Sequence, residues 1–179
     1  MLIHEYELPI ESERLYYRPI TKEDIKPWEA FFRDNPYLHF VGIDNPKSPE
    51  EESVIWTERQ MKRYEETGIG MLATIEKSTN ELIGNVGLIL REDIMGEDYF
   101  EIGYSVIPSR WGMGYASEMA MRFRAYFEEQ GLDERVISII SIDNIGSQKV
   151  AEKNGMKRGL QFDFHGSPCY QYIAEIGKG

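Results

Sequence analysis

The sequence predicts a mixed α/β (α+β) fold whose central sheet is mostly antiparallel and is flanked by helices. β-rich runs joined by turn residues indicate hairpins, as around residues 77–80 and 166–168. Other stretches carry apolar residues at helical spacing and lie between capping residues. The 179 residues suffice for one domain with a buried core, and no linker or repeat divides them. The predicted order is β-α-α-β-β-β-α-β-α-β-β, in a single domain over residues 1–179.

The first third of the chain predicts one strand followed by two helices. Residues 15–18 are a short β-rich run, and Thr21-x-x-Asp24 resembles a capping box that opens a helix over 21–32. A stronger helix start at Ser48-Pro49-Glu50-Glu51 predicts a second helix over 48–66. The intervening loop, residues 35–47, is too apolar for a solvated linker.

The rest of the chain predicts strands interrupted by two helices. A β-branched run after residue 134 indicates a buried strand, and Gly131 and Gly155 are positioned to end the helices. A turn is predicted over residues 93–98. The predicted strands are 70–76, 81–90, 99–107, 135–142, 158–165 and 170–176, and the predicted helices are 115–129 and 147–154.

Composition excludes several classes of protein. The net charge of -11 argues against a broad basic face for nucleic acid. No apolar run is long enough to span a membrane, and the start of the chain does not read as a signal peptide, so a cytoplasmic protein is expected. The single Cys169 permits no internal disulfide, and no Cys/His cluster has metal-binding spacing.

The charge is unevenly distributed along the chain. Residues 1–100 hold 21 acidic and 11 basic residues, whereas residues 101–179 hold 10 and 9. An anionic cofactor on the second part would leave the first part to attract a cationic partner. Acidity that serves solubility alone is the alternative interpretation.

The segment Trp111–Ala116 joins a predicted strand to a predicted helix and contains Gly112 and Gly114. Glycines allow close approach of the backbone to a ligand, and a helix N-terminus behind them favours a phosphate. A P-loop is excluded because Tyr115-Ala116 follows in place of Lys-Ser/Thr, and a Rossmann fingerprint lacks its third glycine. A plain strand-to-helix turn remains the alternative for this segment alone.

With its neighbours, the segment resembles the GCN5-related N-acetyltransferases (GNAT), and among them the ribosomal-protein (RimJ/RimL-type) branch. That family has a strand, then Gln/Arg-x-x-Gly-x-Gly/Ala, then a helix, and the two glycines of this pattern fall on Gly112 and Gly114. Trp111 before them, without the Gln or Arg, departs from the general pattern but is usual in the branch. The resemblance runs from about Ser12 to the C-terminus. The other matching motifs are Arg14-Leu15-x-x-Arg18, Leu82-Ile83-Gly84, Glu101-Ile102-Gly103-Tyr104, Glu118, Asn144-x-x-Ser147 and Lys153-Asn154-Gly155-Met156.

The resemblance implies an enzyme that moves an acetyl group from acetyl-CoA to a primary amine, without a covalent intermediate or a metal. The amine, a protein N-terminus or a small cationic amine, attacks the thioester directly in a ternary complex. The resemblance also implies a bulge over residues 104–106, where the strand splays from its neighbour and frees backbone groups for pantetheine, and it suggests a homodimer. The implied cofactor-binding residues are Ser105, Val106, Ile107, Arg110, Trp111, Gly112, Met113, Gly114, Tyr115, Ala116, Asn144 and Ser147.

Two residues are candidates for proton transfer. Glu101 shares a strand face with Gly103 and Ser105, opposite an apolar face, and is the candidate general base, directly or through water. In many family members a tyrosine that acts as the general acid stands where this chain has Ala151, and the resemblance offers Ser147 as the acid instead. Each has a structural alternative, since Glu101 could hold an arginine or a backbone group and Ser147 could cap a helix.

The missing tyrosine keeps a second hypothesis open, in which the chain is a catalytically weak CoA-binding module that acts as a sensor or binds a partner. The acceptor itself is not specified by the sequence. Protein N-termini, polyamines, aminoglycosides and amino acids remain open, and so does the choice of acyl group.

Overall fold

The computed structural model describes residues 3–177, which form an eight-stranded mixed sheet flanked by four α-helices. The ends of the predicted domain, residues 1–2 and 178–179, lie outside the described residues. The strands are β1 (Ile10–Glu11), β2 (Leu15–Pro19), β3 (Met71–Glu76), β4 (Glu81–Ile94), β5 (Glu97–Val106), β6 (Arg135–Ser141), β7 (Lys157–Phe164) and β8 (Ser167–Glu175). The helices are α1 (Ile25–Phe32), α2 (Pro49–Thr67), α3 (Tyr115–Gln130) and α4 (Ile145–Lys153).

The strands lie in the order β1-β2-β3-β4-β5-β6-β8-β7, and every neighbouring pair is antiparallel except β5 and β6. The predicted fold class is confirmed, and the predicted order of elements holds with one addition. The additional strand, β1, pairs Ile10 with Tyr17 and Glu11 with Tyr16. Two residues are too few to show an alternating pattern, so the sequence could not reveal this strand.

Two layers of helix cover the two faces of the sheet. Side chains alternate between faces along a strand, so Phe100 and Glu101 on β5 point in opposite directions. The ring of Phe127 on α3 lies 5.5 Å from that of Phe100. On the face that carries Glu101, Trp56 of α2 packs 6.1 Å from Trp28 of α1. The apolar core is therefore built between each helix pair and the sheet.

The strands β5 and β6 pair over only two positions, Phe100 with Val136 and Glu101 with Ile137. Beyond this point the two strands continue but no longer pair with each other. The predicted splay is therefore confirmed, and a V-shaped opening lies in the middle of the sheet. The predicted bulge over residues 104–106 is wrong. Strand β5 pairs with β4 in unbroken register over these residues.

Local sequence signals set most helix ends. At the start of α2, Ser48 and Glu51 form a complete capping box, as predicted. Helix α4 begins at Ile145, two residues earlier than predicted. The turn predicted over 93–98 is shorter, because Met95 and Gly96 both adopt positive φ (53° and 88°) and close a tight hairpin.

Candidate active site

The loop between β5 and α3 places two glycines at the beginning of the helix. Gly112 and Gly114 have φ of 74° and 81°, and Gly114 is the N-cap of α3. The first bond into the helix runs from Glu118 N to Gly114 O (3.1 Å), and the amides of residues 112–117 donate to no acceptor within residues 3–177. Six free donors beside the positive end of a helix dipole form a binding site for an anion such as a pyrophosphate.

Arg14 holds this loop from outside. Its guanidinium donates to Met113 O (2.9 Å) and to Glu118 Oε2 (2.7 Å), and it lies 4.1 Å from the centre of the Tyr115 ring. Glu118 Oε1 also accepts from the Arg14 amide and the Ser12 hydroxyl. Burial opposes ionisation of Glu118, but these hydrogen bonds outweigh it and hold the pKa of Glu118 below its usual value. The backbone of the loop is thus fixed from the far end of the sheet.

Glu76 at the end of β3 anchors the other side of the loop. Its carboxylate accepts from the Tyr115 hydroxyl and from Arg110 Nη2 (3.3 Å), and Arg110 also pairs with Glu81 at 2.8 Å. Hydrogen bonds from Thr79 and Tyr115 keep the pKa of Glu76 low. Arg110 therefore lies beside the predicted phosphate site, with its guanidinium bonded to two carboxylates.

The splayed end of β5 turns backbone groups into the opening. The Ile107 amide bonds to β4, and a serine hydroxyl on β6 reaches the Ile102 carbonyl at 2.8 Å. Hydrogen-bonded and free positions alternate along an antiparallel strand, so the amides of Tyr104 and Val106 point away from β4 into the splay. The carbonyl of Val106 accepts from Trp111 Nε1 at 2.7 Å, which attaches the loop to the strand.

A cavity of about 640 Å³ lies between the loop, β5 and the beginning of α4. Two residues predicted to bind cofactor lie outside it. Ile107 is buried in the core, and Met113 has its side chain turned to solvent, with 52% of the residue exposed. The predicted residues that line this CoA-side cavity are Ser105, Val106, Arg110, Trp111, Gly112, Gly114, Tyr115, Ala116, Asn144 and Ser147.

Ser147 lies at the mouth of the splay, in the first turn of α4. Asn144, not Ser147, is the N-cap of the helix, since its side chain accepts from Ser147 N (3.1 Å). The Tyr104 hydroxyl lies 2.9 Å from Ser147 Oγ and 3.1 Å from Ser147 O. Burial raises the pKa of Tyr104, which keeps its hydroxyl protonated. Tyr104 thus brings a phenol to the hydroxyl of Ser147, and only its place on the splayed strand could have signalled this.

Glu101 lies on the other face of β5 and is 7% exposed. Its Oε2 is 2.5 Å from Arg91 Nε on β4, in an ion pair that holds the carboxylate in place. Glu101 lines a second cavity of about 480 Å³, which we call the acceptor-side cavity. The two cavities are adjacent, since Tyr104, Ser105 and Ser147 line both of them.

The charges of the acceptor-side cavity differ from those expected for a cationic partner. Three arginines line it, Arg59, Arg63 and Arg91, against two carboxylates, Asp44 and Glu101. The acidic surplus of the first hundred residues is thus absent from this wall. The two arginines of α2 were not predicted as part of the site, because the sequence alone does not show which positions of this helix face the cavity.

Two further features bear on the class of site. Within residues 3–177, no group of three or more His, Cys, Asp or Glu side chains is arranged to hold a metal ion. Over the same range, none of the helices has the length and apolarity needed to cross a membrane.

Comparisons with known proteins agree with this geometry. The sequence model of the acetyltransferase (GNAT) domain matches residues 14–157. The uncharacterized N-acetyltransferase YnaD of Bacillus subtilis is 38% identical over 157 residues, which are 83% of this chain and 82% of YnaD. The uncharacterized N-acetyltransferase YoaA of the same organism is 31% identical over 154 residues, with the same two shares.

A solved structure extends the likeness to the fold of the predicted branch. RimL, a ribosomal-protein alpha-N-acetyltransferase in complex with coenzyme A, superposes with a TM-score of 0.74 over 94% of this chain and 98% of its own, at 18% identity. The family predicted from the glycine loop and its neighbouring motifs is confirmed. Because a GNAT model covers most of the chain and two N-acetyltransferases are more than 30% identical to it over 83% of its length, the chain belongs to the GNAT family of acetyltransferases.

Proposed function

We propose that this enzyme transfers the acetyl group of acetyl-CoA to a primary amine, which attacks the thioester directly in a ternary complex. The observation that carries the proposal is the row of six free amides beside one cavity, next to a second cavity that Glu101 lines, with Tyr104 and Ser147 lining both. A CoA molecule with its pyrophosphate on these amides would extend its thioester into the sheet, where an amine entering from the other cavity would meet it. Such positioning supplies most of the acceleration that direct acyl transfer requires.

The residues of the CoA-side cavity fit acetyl-CoA. The amides of residues 112–117 would receive the pyrophosphate, since the two glycines leave no side chain in the way. The amide of Tyr104, which points into the splay, would pair with pantetheine. Asn144 uses its Oδ1 to cap α4, which leaves its Nδ2 to donate to the pantetheine as well.

Acetyl-CoA supplies a thioester, whose carbonyl carbon is the electrophile. The Val106 amide would polarise that carbonyl by donating to its oxygen. Glu101 would accept the proton of the amine, directly or through a water, and its ion pair with Arg91 keeps the carboxylate oriented. Ser147 Oγ would donate a proton to the departing sulfur, with Tyr104 positioning that hydroxyl at 2.9 Å.

For the acceptor, we propose a primary amine, either a small molecule or a protein N-terminus. RimL is named as an alpha-N-acetyltransferase of a ribosomal protein, which supports the second class. The acceptor-side cavity lies within the size range of small-molecule sites, which supports the first. Location in the cytoplasm and homodimerisation stay predictions, to be tested by cell fractionation and light scattering.

A thiol-release assay tests the proposal. Purified protein is incubated with acetyl-CoA and a panel of amines and peptides, free CoA is followed with a thiol reagent, and products are identified by mass spectrometry. Release that depends on the amine, with an acetylated product, is the expected result. CoA binding in calorimetry without turnover of any amine class would instead favour the catalytically weak sensor. Propionyl-CoA in place of acetyl-CoA tests the acyl group.

A further inference from the structure

Two arginines at the acceptor-side cavity form no ion pair with any carboxylate of the described residues. Eight of the eleven arginines of the chain form ion pairs within residues 3–177, and the three that do not are Arg59, Arg63 and Arg158. Arg59 and Arg63 both line this cavity, four residues apart on α2 and hence on one face of the helix. In a chain with a net charge of -11, these positive charges without partners are concentrated where a substrate binds.

Gln60, between them, adds a donor without a partner. Its side chain is fully buried (0% exposed) and lines the same cavity. Gln60 Oε1 accepts from the Met71 amide and from Arg63 Nη1, both at 3.1 Å, so the orientation of the amide group is determined. Its Nε2 then has no acceptor within residues 3–177. A buried donor left unpaired is destabilising, and a small shift of the side chain toward an oxyanion in the cavity would pair it.

Arg63 lies in a positive electrostatic environment. Burial and the positive charges of Arg91 and Arg59 lower the pKa of Arg63 to about 10, and the opposing effect of Glu101 does not offset them. Glu101 is already paired with Arg91, and Asp44 is exposed. With a pKa near 10, Arg63 remains protonated at neutral pH and keeps its bonding capacity for an anion.

We infer that the acceptor is a primary amine that also carries an oxyanion, a carboxylate or a phosphate, bound by Arg63 with Gln60 Nε2. The inference rests on the proposed function and narrows its acceptor. A guanidinium binds either oxyanion through paired hydrogen bonds, while the amine of the same molecule extends toward Glu101. Polyamines and other purely cationic amines are disfavoured, because they would bring positive charge next to three arginines.

Matched pairs of acceptors test the inference on the wild-type enzyme. Each pair keeps the amine and removes the anion: glycine against glycinamide, O-phosphoethanolamine against ethanolamine, and peptides with Asp against Asn at the second position. Cadaverine serves as the cationic comparison. We expect at least one anionic member to exceed its neutral partner by about 10-fold or more in kcat/KM, the effect of one charge-assisted contact. The pair with the largest ratio identifies the source of the oxyanion.

Substitution of Arg63 then locates the effect, with its neighbour Lys62 as the matched control. Lys62 is exposed and pairs with Glu66 at 3.5 Å, so Lys62→Gln removes the same charge outside the cavity. We expect Arg63→Gln to raise the KM of the anionic acceptor by about 10- to 100-fold and to leave the KM of acetyl-CoA unchanged. Lys62→Gln should preserve the wild-type ratio of kcat/KM between the anionic acceptor and its neutral partner. Arg63→Lys should keep part of this ratio, which Arg63→Gln is expected to lose.

Three results would overturn the inference. These are wild-type preference for neutral amines or cadaverine, equal kcat/KM within every pair, and equal effects of the two glutamine variants. The wild-type panel decides even if Arg63→Gln does not fold. Failure of every amine would contradict the proposed function instead. In that case, calorimetry of N-acetylglycine against N-acetylglycinamide on the CoA-saturated enzyme decides the inference, and tighter binding of the anion supports it.

Discussion

Replacement of Gly114 by Asp tests the anion site most directly. The change puts a carboxylate into the row of free amides formed by residues 112–117, where the pyrophosphate of CoA would lie. A side chain at Gly114 would begin 3.6 Å from Arg14 Nη2. Since Arg14 already binds Met113 and Glu118, the new carboxylate would also compete for the group that fixes the loop.

The magnitude follows from two terms. Loss of one or two charge-assisted hydrogen bonds to phosphate costs about 1.5–3 kcal/mol each. Repulsion between like charges at about 5 Å adds ~3 kcal/mol at an effective dielectric constant of 20. Together the two terms exceed about 4 kcal/mol, so the Kd for CoA should rise about 1000-fold or more. The positive φ of residue 114 adds a separate folding cost of about 1–2 kcal/mol for any residue with a Cβ.

Isothermal titration calorimetry with CoA measures the Kd, and two control variants separate charge from strain. Gly114→Ala has the same backbone strain without the charge, so it should lose less than about 10-fold in affinity. Gly96→Asp has the same charge and a similar φ (88°) in the β4–β5 turn, and it should bind CoA normally. Unchanged affinity in Gly114→Asp, or an equal loss in Gly114→Ala, would refute the assignment of these amides to the pyrophosphate.

Three further variants test the chemistry and the core. Glu101→Gln should lower kcat/KM by about 100-fold or more, most at low pH where fewer amines are already deprotonated, and a wild-type pH profile of thiol release would make Glu101 structural. Tyr104→Phe and Ser147→Ala should each lower kcat with little change in the KM of acetyl-CoA. Additive effects in the double variant would show that the two hydroxyls act independently and would contradict the positioning role of Tyr104. Phe123→Ala, at a fully buried site of α3, should destabilise the protein by about 3–5 kcal/mol in calorimetric melting. Met121→Ala, at an exposed site of the same helix, should leave the stability almost unchanged.

Features that depend on neighbouring residues in the chain were predictable. The capping box of Ser48 with Glu51 and the Asn144 cap on Ser147 each join residues three apart, so residue type and spacing suffice to predict them. The glycine loop falls in the same class. Its φ angles and its place before a helix follow from local sequence, which is why the anion site could be proposed without a structure.

Features that depend on sheet register were not predictable. Tyr104 meets Ser147 across 43 residues, and it does so only because β5 separates from β6 after Glu101. Strand alternation placed Glu101 correctly on its face, but its partner Arg91 depends on the pairing of β4 with β5. The predicted bulge failed for the same reason, since the opening arises between β5 and β6 while the register with β4 continues.

The amino-acid sequence by itself determined the fold class and the position of the glycine loop, because these are encoded in short runs of capping residues, glycines and alternating apolar residues. Its resemblance to the GNAT enzymes, carried by the motifs around that loop, predicted acetyl-CoA as the donor. Only the tertiary structure decided the charge of the acceptor side. A net charge of -11 and an acidic first half suggested a cationic partner, yet packing of α2 on the sheet brings Arg59 and Arg63 to the cavity. Net charge sums over the whole surface, whereas a substrate responds to the few charges within several ångströms of it.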